Sequence, residues 1–227
     1  MTIVSVSNVE KIYHQGKMEI RALDDVSVSV DKGQFVALAG PSGSGKTTLL
    51  NMIGGLDLPD SGSVMVDGND YSGMNDGELA ELRLRRIGFV FQAYNLIPVL
   101  TAAENVEYIL RLQGVPAKER RERARAILDE VGLDGKYERK PAELSGGQQQ
   151  RVAVSRAIVS DPAIILADEP TANLDSKTGE NLLKLMLQMN QDKKATFIFS
   201  THDSMVMEYA RRIVLLRDGK VADDQEK

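Results

Sequence analysis

The sequence predicts an α/β fold built around a parallel β-sheet, and three observations support this class. Alternating or continuous apolar runs near the start, Ile3 to Val6, Val26 to Val30 and Phe35 to Ala39, indicate early strands. Two continuous apolar stretches, residues 163–167 and 196–200, indicate strands that are buried on both faces, as is typical of parallel sheets. Polar residues follow each of these stretches directly, and in such sheets the functional residues lie at the carboxyl ends of the strands.

Between these strand regions the pattern changes to helical spacing. From Ala102 to about Leu133, apolar and charged residues recur at helical intervals, which predicts a helical insert. Its most regular part, residues 118–132, has opposite charges at helical neighbour spacing, and we interpret it as a solvated helix face rather than a binding patch. A last apolar run, residues 212–219, predicts another strand, and the acidic residues 223–227 are expected to be frayed.

The composition restricts the function classes. The 227 residues are 42% hydrophobic, which is ordinary for a folded chain with a sizeable core. The net charge of -5 argues against a protein that binds nucleic acid by broad electrostatic attraction. The lack of cysteine excludes disulfides, thiol nucleophiles and cysteine metal sites. Residues 1–16 show no basic segment followed by an apolar signal core, and the sequence has no run of about 18 apolar residues, the length of a membrane span, so a cytoplasmic location is expected.

The strongest motif is GPSGSGKT, residues 40–47, which follows the strand-like FVALA and leads into the helix-like TLLNMIGGL. Its glycines let the backbone turn tightly so that several N–H groups point at phosphate oxygens, and the helix N-terminus adds its dipole. Lys46 supplies positive charge to the phosphates, and Thr47 offers a hydroxyl to Mg²⁺. The residues predicted to bind nucleotide at this loop are Gly40, Pro41, Ser42, Gly43, Ser44, Gly45, Lys46, Thr47 and Thr48.

A pair of carboxylates completes this predicted site. In AIILADEP, residues 163–170, an apolar strand ends at Asp168, which places one carboxylate where it can hold Mg²⁺. Glu169 is then free to orient or deprotonate water. The phosphate loop alone leaves kinase, GTPase and ATPase as alternatives. Because a carboxylate next to the metal ligand suits attack by water, we predict hydrolysis rather than phosphoryl transfer to a small molecule.

A second phosphate-binding element occurs far downstream in LSGGQQQR, residues 144–151. Ser145 and the first N–H groups of a helix predicted from Gly146 and Gly147 form an anion site. The predicted nucleotide already sits on the helix that begins at Lys46. The second element therefore either folds back onto the nucleotide of its own chain or binds the nucleotide of another subunit, and the residues alone do not choose between these alternatives.

LSGGQQQR resembles the signature motif of ATP-binding cassette (ABC) ATPases, and the other motifs occur in the order of that family over nearly the whole chain. The resemblance implies a single domain over residues 1–227, with a phosphate-loop core, an N-terminal antiparallel β subdomain and a helical signature subdomain inserted at about 93–160. It also implies ATP and Mg²⁺ as ligands and a head-to-tail homodimer that shares two ATP sites. The residues that would close over the ATP of the opposite subunit are Ser145, Gly146, Gly147 and Gln148.

The same resemblance gives roles to further residues. Tyr13 is similar to the aromatic residue that stacks on adenine. Gln92, in GFVFQAYNL, resembles the residue that reaches Mg²⁺ and the attacking water and senses the membrane partner, and His202 resembles the switch histidine that contacts the γ-phosphate. Asp175, in TANLD, is similar to the aspartate of the loop that joins the two subunits. The pair Ala172–Asn173 departs from the Ser-Ala of many relatives, so the resemblance gives Asn173 no role.

Within the ABC family, the motif combination resembles the branch of lipoprotein-releasing and macrolide-exporting ATPases. It also resembles the ATPases of antimicrobial-peptide detoxification and of cell-division permeases, so the resemblance does not assign a transported substrate. The resemblance implies an ATP-hydrolysing motor that lies peripherally on the cytoplasmic face of the inner membrane and drives an integral membrane permease. Residues 95–106, just after Gln92, are either the docking surface for that permease or ordinary core.

Two rival functions fit the sequence less well. The chief rival is a soluble ABC protein that acts on DNA or ribosomes as a switch or clamp. Translation factors of that kind hold two cassettes in one chain, and DNA-repair relatives carry long coiled-coil or zinc insertions; the sequence has neither feature, and we expect no nucleic-acid partner. The other rival, a small-molecule kinase, leaves LSGGQ unexplained.

Overall fold

The computed structural model describes residues 1–16 and 18–227, which form two β-sheets and a set of helices. The strands, in chain order, are β1 (Thr2–Gln15), β2 (Met18–Asp31), β3 (Phe35–Ala39), β4 (Ser61–Val66), β5 (Asn69–Asp70), β6 (Ile87–Val90), β7 (Ile164–Asp168), β8 (Thr196–Thr201), β9 (Arg212–Arg217) and β10 (Lys220–Glu226). The α-helices are α1 (Lys46–Ile53), α2 (Asp76–Arg86), α3 (Ala102–Leu112), α4 (Ala117–Glu130), α5 (Gly146–Ile158), α6 (Ser176–Lys193) and α7 (Ser204–Tyr209).

The smaller sheet is antiparallel, with the strand order β2-β1-β4-β5. In β2, the valines Val26, Val28 and Val30 are buried, whereas the serines between them are exposed. Successive side chains of a strand point to opposite faces, so this alternation buries one face of the sheet and leaves the other in water. The sheet therefore covers the core from one side.

The larger sheet has the order β10-β9-β3-β8-β7-β6, and the neighbours from β9 to β6 are parallel. Every residue of β3 and β8 is buried. Phe35 packs in one hydrophobic cluster with Phe197 and Phe199, whereas Val36 and Leu38 belong to a second cluster on the opposite face. Two covered faces account for the continuous apolar runs in the sequence, and the predicted α/β class is confirmed.

The acidic end of the chain is ordered, so the prediction of a frayed segment over residues 223–227 is wrong. Residues 220–226 form β10, which pairs with β9 in an antiparallel ladder. The guanidinium of Arg212 donates to both carboxylate oxygens of Asp224, at 2.8 and 2.7 Å. The polar composition predicts a segment without apolar burial, but β10 is held instead by backbone hydrogen bonds to β9 and by one bidentate ion pair.

Three helices, α3, α4 and α5, follow β6 and precede β7, and they pack on one another. Their contacts bury Val106, Leu110, Leu128 and Val152. α3 begins with a capping box in which Thr101 and Glu104 satisfy each other's backbone N–H groups. The proposed limits of about 93–160 for a helical subdomain and of 1–227 for a single domain stay predictions. In the described part of the chain, the helices are too short or too polar to reach across a bilayer.

Candidate active site

The loop between β3 and α1 has a backbone path that requires glycine at two positions. Gly40 has φ 149° and Gly45, which precedes α1, has φ 101°. A Cβ atom on Gly40 would lie 2.2 Å from the carbonyl oxygen of Leu216, and one on Gly45 would lie 2.6 Å from that of Ala22. The loop is therefore packed directly against the backbones of β9 and β2, and a side chain at either glycine would displace it.

The ammonium group of Lys46 lies inside this loop. Its Nζ donates to the carbonyl oxygens of Gly40 and Pro41, both at 2.8 Å, and the side chain is buried. The first turn of α1 has no acidic residue and its start has no side-chain cap, so its first N–H groups are available to an anion. The buried hydroxyl of Ser44 has no hydrogen-bond partner within residues 1–16 and 18–227. These features fit the phosphates of a nucleotide.

Asp168 ends β7 beside Thr47. Thr47 Oγ1 lies 3.2 Å from Asp168 Oδ1. Ser200, which pairs with Asp168 from strand β8, donates its hydroxyl to Asp168 Oδ1 as well. A carboxylate and a hydroxyl suit Mg²⁺ when substrate phosphates and waters supply the remaining ligands. Among the described residues, no group of three or more acidic or histidine side chains could hold a metal ion. The donor set thus fits a cation that binds together with a nucleotide.

Glu169 follows Asp168 and has a strained backbone. Its φ is 46°, and its N–H donates to the carbonyl oxygen of Ser200 at 3.0 Å. Glu169 Oε1 lies 2.7 Å from Nδ1 of His202, which follows β8. The Glu169 side chain is 17% exposed, whereas the imidazole is 67% exposed. A positive φ at a non-glycine residue persists only where neighbouring contacts enforce it, so the Ser200 and His202 contacts fix the position of this carboxylate.

These groups line one cavity of about 570 Å³. Its lining residues are Ile20, Arg21, Ala22, Pro41, Ser42, Gly43, Gly45, Lys46, Thr47, Thr48, Gln92, Asp168, Glu169 and His202. The structure thus brings the predicted phosphate loop, the carboxylate pair, Gln92 and His202 together. Tyr13, Asp175 and residues 145–148 lie outside this lining.

Tyr13 has a partly exposed ring and an anchored hydroxyl. The hydroxyl donates to Asp57 Oδ2 at 2.7 Å, and Asp57 Oδ1 accepts from Lys11 Nζ at 2.9 Å. Burial and the hydrogen bond to Asp57 raise the pKa of Tyr13. Burial opposes ionisation of Asp57, but hydrogen bonds from Tyr13 and Lys11 outweigh it and hold the pKa of Asp57 below its usual range. Sequence reasoning missed Lys11 and Asp57, because no local pattern links Tyr13 to a residue 44 positions away.

α5 begins at the predicted signature motif, and a capping box closes its N-terminus. Ser145 Oγ accepts from the N–H of Gln148 at 3.4 Å, and Gln148 Oε1 accepts from the N–H of Ser145 at 3.0 Å. A Cβ atom on Gly146 would lie 2.9 Å from the hydroxyl oxygen of Tyr94. Glycine at this position therefore lets the loop after Gln92 approach the start of α5.

The loop that carries Asp175 leads into α6. The Asp175 carboxylate caps α6 by accepting from the N–H of Thr178 at 3.0 Å, and the hydrogen bonds from Thr178 hold the pKa of Asp175 below its usual range. A Cβ atom on Gly147 would lie 2.4 Å from Thr178 Cγ2. The predicted signature and the predicted subunit-joining loop therefore lie side by side.

An apolar groove of about 440 Å³ lies beside the loop after Gln92. Within residues 95–106, the structure gives neighbouring positions different environments: Leu96 packs against the core, Ile97 lines the groove, and Val99 is 73% exposed. The stretch is therefore part core and part surface. The large apolar residues that line the groove are Leu56, Leu84, Ile87, Phe89, Phe91, Ile97 and Ile109.

A glycine loop that joins a buried strand to a helix and encloses a lysine, next to a carboxylate pair at the end of another strand, defines a phosphate-loop nucleoside triphosphatase. The family model described as ABC transporter matches residues 23–172. An uncharacterized ABC transporter ATP-binding protein of Thermotoga maritima is 48% identical over 219 residues, which is 96% of this chain and 93% of that protein. The chain belongs to the ABC transporter family, as an ATP-binding cassette that hydrolyses ATP to drive transport.

Two further similarities are informative. The macrolide export ATP-binding/permease protein MacB of Mannheimia succiniciproducens is 44% identical over 227 residues, which is 100% of this chain but only 35% of MacB, so the chain spans about a third of that relative. The dimeric structure of a post-hydrolysis state of the cassette MJ0796 of Methanocaldococcus jannaschii, bound to ADP and Pi, has a TM-score of 0.91 and 45% identity, and covers 99% of this chain and 98% of that chain. The predicted family and ATPase activity are confirmed, and the alternative of a switch on DNA or ribosomes is not favoured.

Proposed function

We propose that two copies of the chain associate head to tail on ATP and drive an integral membrane permease of the lipoprotein-release, macrolide or peptide export type, from the cytoplasmic face of the inner membrane. The main observation in support of this proposal is that the start of α5 and Asp175 lie close together, outside the lining of the chain's own nucleotide cavity. The first turn of α5 has no acidic residue. An anion site without a nucleotide of its own suits the γ-phosphate that a second copy holds, and the dimeric MJ0796 cassette supports this arrangement.

In this proposal each chain binds ATP through its own cavity and through Tyr13, which lies outside the cavity lining. Lys46 and the N–H groups at the start of α1 bind the phosphates, and the Tyr13 ring stacks on adenine while Asp57 holds its hydroxyl. Thr47 and Asp168 would hold Mg²⁺, which supplies positive charge to offset that of the phosphates. These groups position the γ-phosphate beside Glu169.

Hydrolysis then depends on Glu169. Its carboxylate accepts a proton from water while the water oxygen bonds to the γ-phosphorus and the bond to the β–γ bridging oxygen breaks, leaving ADP and phosphate. Gln92 orients the water, and His202 contacts the γ-phosphate and holds Glu169 through Nδ1. The strained backbone of Glu169 keeps the carboxylate in place before the nucleotide arrives, which reduces the reorganisation that the reaction requires.

Mixing two inactive variants tests the shared sites. A Lys46→Ala chain keeps its signature but binds ATP weakly, and a Ser145→Arg chain binds nucleotide but has a blocked helix start. We expect neither variant to hydrolyse ATP alone, whereas their mixture recovers partial activity because one composite site is complete. A mixture of Lys46→Ala with the Lys46→Ala, Ser145→Arg double variant is the matched control and should stay inactive. No recovery with folded proteins would favour a signature that closes on its own chain.

The apolar groove beside Gln92 is the proposed docking site for a cytoplasmic helix of the permease. We expect Ile97→Glu to reduce co-purification of an integral membrane permease from detergent-solubilised membranes and to leave ATP binding unchanged, because Ile97 lines the groove. Val99→Glu is the matched control, since Val99 is exposed outside the lining. Leu96→Glu should instead lower the melting temperature, because it places an unpaired charge against the core. Full retention of the permease by Ile97→Glu would contradict this docking site.

A further inference from the structure

The loop after β6 and the loop after β7 are hydrogen-bonded to each other in both directions. The side chain of Asn173 donates from Nδ2 to the backbone carbonyl oxygen of Gln92 at 2.9 Å. In return, the hydroxyl of Tyr94 donates to the backbone carbonyl oxygen of Asn173 at 3.4 Å. Asn173, the residue to which the family resemblance gives no role, is thus the side chain that connects the two loops.

The loop that carries Asn173 has a backbone hydrogen bond on each side of this residue. The N–H of Ala172 donates to the carbonyl oxygen of Glu169 at 3.2 Å, and the N–H of Leu174 donates to that of Thr171 at 3.0 Å. The loop then enters α6 at its capping residue, Asp175. A short chain of turns therefore connects Glu169 to Asp175 through Asn173.

The loop that follows Gln92 is strained and held from the other side. Tyr94 and Asn95 both have left-handed backbones, with φ values of 60° and 48°. The guanidinium of Arg156, on α5, donates to their carbonyl oxygens at 2.9 and 2.6 Å, and burial lowers the pKa of Arg156. A loop in such a conformation persists because its surroundings enforce it, so α5 on one side and Asn173 on the other determine where Gln92 lies.

We propose that Asn173 is a positioning residue that couples Gln92 to the loop between Glu169 and Asp175. It acts through the Gln92 backbone, so a shift of Asp175 when a second copy of this chain arrives is transmitted to Gln92. The same bond transmits a shift of Gln92 to the turn that begins at Glu169. This inference rests on the proposed role of Gln92 in orienting water.

Steady-state ATPase measurements test the coupling, at protein concentrations where the rate per chain no longer rises. We expect Asn173→Ala to lower kcat by about two- to tenfold, the effect of losing one neutral hydrogen bond, with an unchanged KM for ATP. Asn173→Asp keeps the shape of the side chain but turns an acceptor towards the Gln92 carbonyl, so its kcat should fall at least as far. In a Gln92→Ala background, Asn173→Ala should have no further effect on kcat, because the bond then positions only a methyl group.

Asn181→Ala, the same change on the exposed surface of α6, is the matched control and should keep the normal kcat and KM. A normal kcat in both Asn173 variants overturns the coupling. An equal fall in kcat on the wild-type and Gln92→Ala backgrounds also overturns it, because Asn173 would then act independently of Gln92. A normal kcat in Gln92→Ala alone is a separate failure, which removes the proposed role of Gln92. If Asn173→Ala lowers the melting temperature, the isosteric Asn173→Asp decides the outcome.

Discussion

The two helices that begin at glycine-rich motifs, α1 and α5, differ in how their first turns are satisfied. α1 begins after Gly45, which has a left-handed backbone and gives no side-chain cap, whereas α5 begins with reciprocal hydrogen bonds between Ser145 and Gln148. An uncapped start leaves its N–H groups to a ligand, and a capped start is stable without one. The start of α1 thus has N–H groups that lack a side-chain cap, whereas the start of α5 is capped by its own side chains.

The starts of α1 and α5 also have different neighbours. The start of α1 shares a cavity with the carboxylate pair, with Gln92 and with His202. The start of α5 instead adjoins the loop after Gln92 and the first turn of α6, as the close contacts at Gly146 and Gly147 show. The groups proposed to be catalytic therefore lie near the start of α1, and connecting loops lie near the start of α5. Four predictions test this contrast.

The largest effect on ATP turnover is expected from Glu169→Gln. This variant should bind ATP at the start of α1 without cleaving its γ-phosphate. Turnover should fall by about 10²–10⁴ fold, because the amide keeps the shape of the side chain but cannot accept the proton of water. With cleavage blocked, ATP should convert a monomer of 24.9 kDa into a dimer by bridging α1 of one copy and α5 of the other, and ADP should not. Steady-state ATPase assays and light scattering after size exclusion measure both effects. A normal turnover rate would exclude Glu169 as the general base.

A substitution at the start of α1 should weaken binding of ATP to the monomer, whereas a substitution at the start of α5 should not. Lys46→Ala should weaken ATP affinity by roughly ten- to a hundredfold, because a charge-assisted contact in a water-poor site is lost. Ser145→Arg should leave the affinity of the monomer unchanged and prevent the ATP-dependent dimer. Titration calorimetry on both variants measures the difference. If Ser145→Arg weakens ATP binding as much as Lys46→Ala does, both helix starts bind the nucleotide of the same monomer, which contradicts the proposal.

The cap at α5 should contribute to the stability of the chain without nucleotide. Ser145→Ala should lower the free energy of unfolding by about 1 kcal/mol, because the N–H group that the hydroxyl satisfies loses its partner. Ser29→Ala, on the exposed face of β2, is a control for the loss of a hydroxyl. Urea unfolding followed by circular dichroism compares the two variants. If Ser145→Ala is as stable as Ser29→Ala, the capping box does not stabilise α5.

The smallest effect concerns the neighbouring cap at α6, which is charged where the cap of α5 is neutral. Hydrogen bonds from Thr178 keep the folded-state pKa of Asp175 below its unfolded-state value. The cap therefore stabilises the fold above the unfolded-state pKa, about 3.9, and this contribution is lost as the pH falls through the folded-state pKa. Between about pH 6 and about pH 3, Asp175→Ser should lose less unfolding free energy than the wild type, whereas Ser145→Ala should follow the wild-type slope. Parallel curves for all three proteins would contradict a charged cap at Asp175.

The sequence predicted the features that are contiguous along the chain. The phosphate loop, the carboxylate pair and the buried strands of the larger sheet were found because the required residues stand next to each other or alternate with a fixed period. The connections between these features were not predicted. Gln92 and Asn173 are 81 positions apart, and only the fold brings them together.

The wrong prediction at the end of the chain has a related cause. Residues 223–227 are polar, and a polar composition predicts exposure but says nothing about backbone pairing. β10 is both exposed and paired with β9, and Arg212 fixes it through Asp224. Likewise, Asp57 looks like an ordinary loop aspartate until the fold places it against Tyr13.

The exposed, acidic strand β10 has a consequence for how the protein behaves in a crowded solution. It occupies the border of the larger sheet, where an apolar strand such as β9 would otherwise present free N–H and carbonyl groups to any extended chain nearby. Charged side chains on an edge strand, here Asp223 and Glu226, disfavour edge-to-edge pairing of two molecules. Removal of residues 220–227 would therefore first appear as self-association of the chain, even though these residues lie outside the lining of the nucleotide cavity.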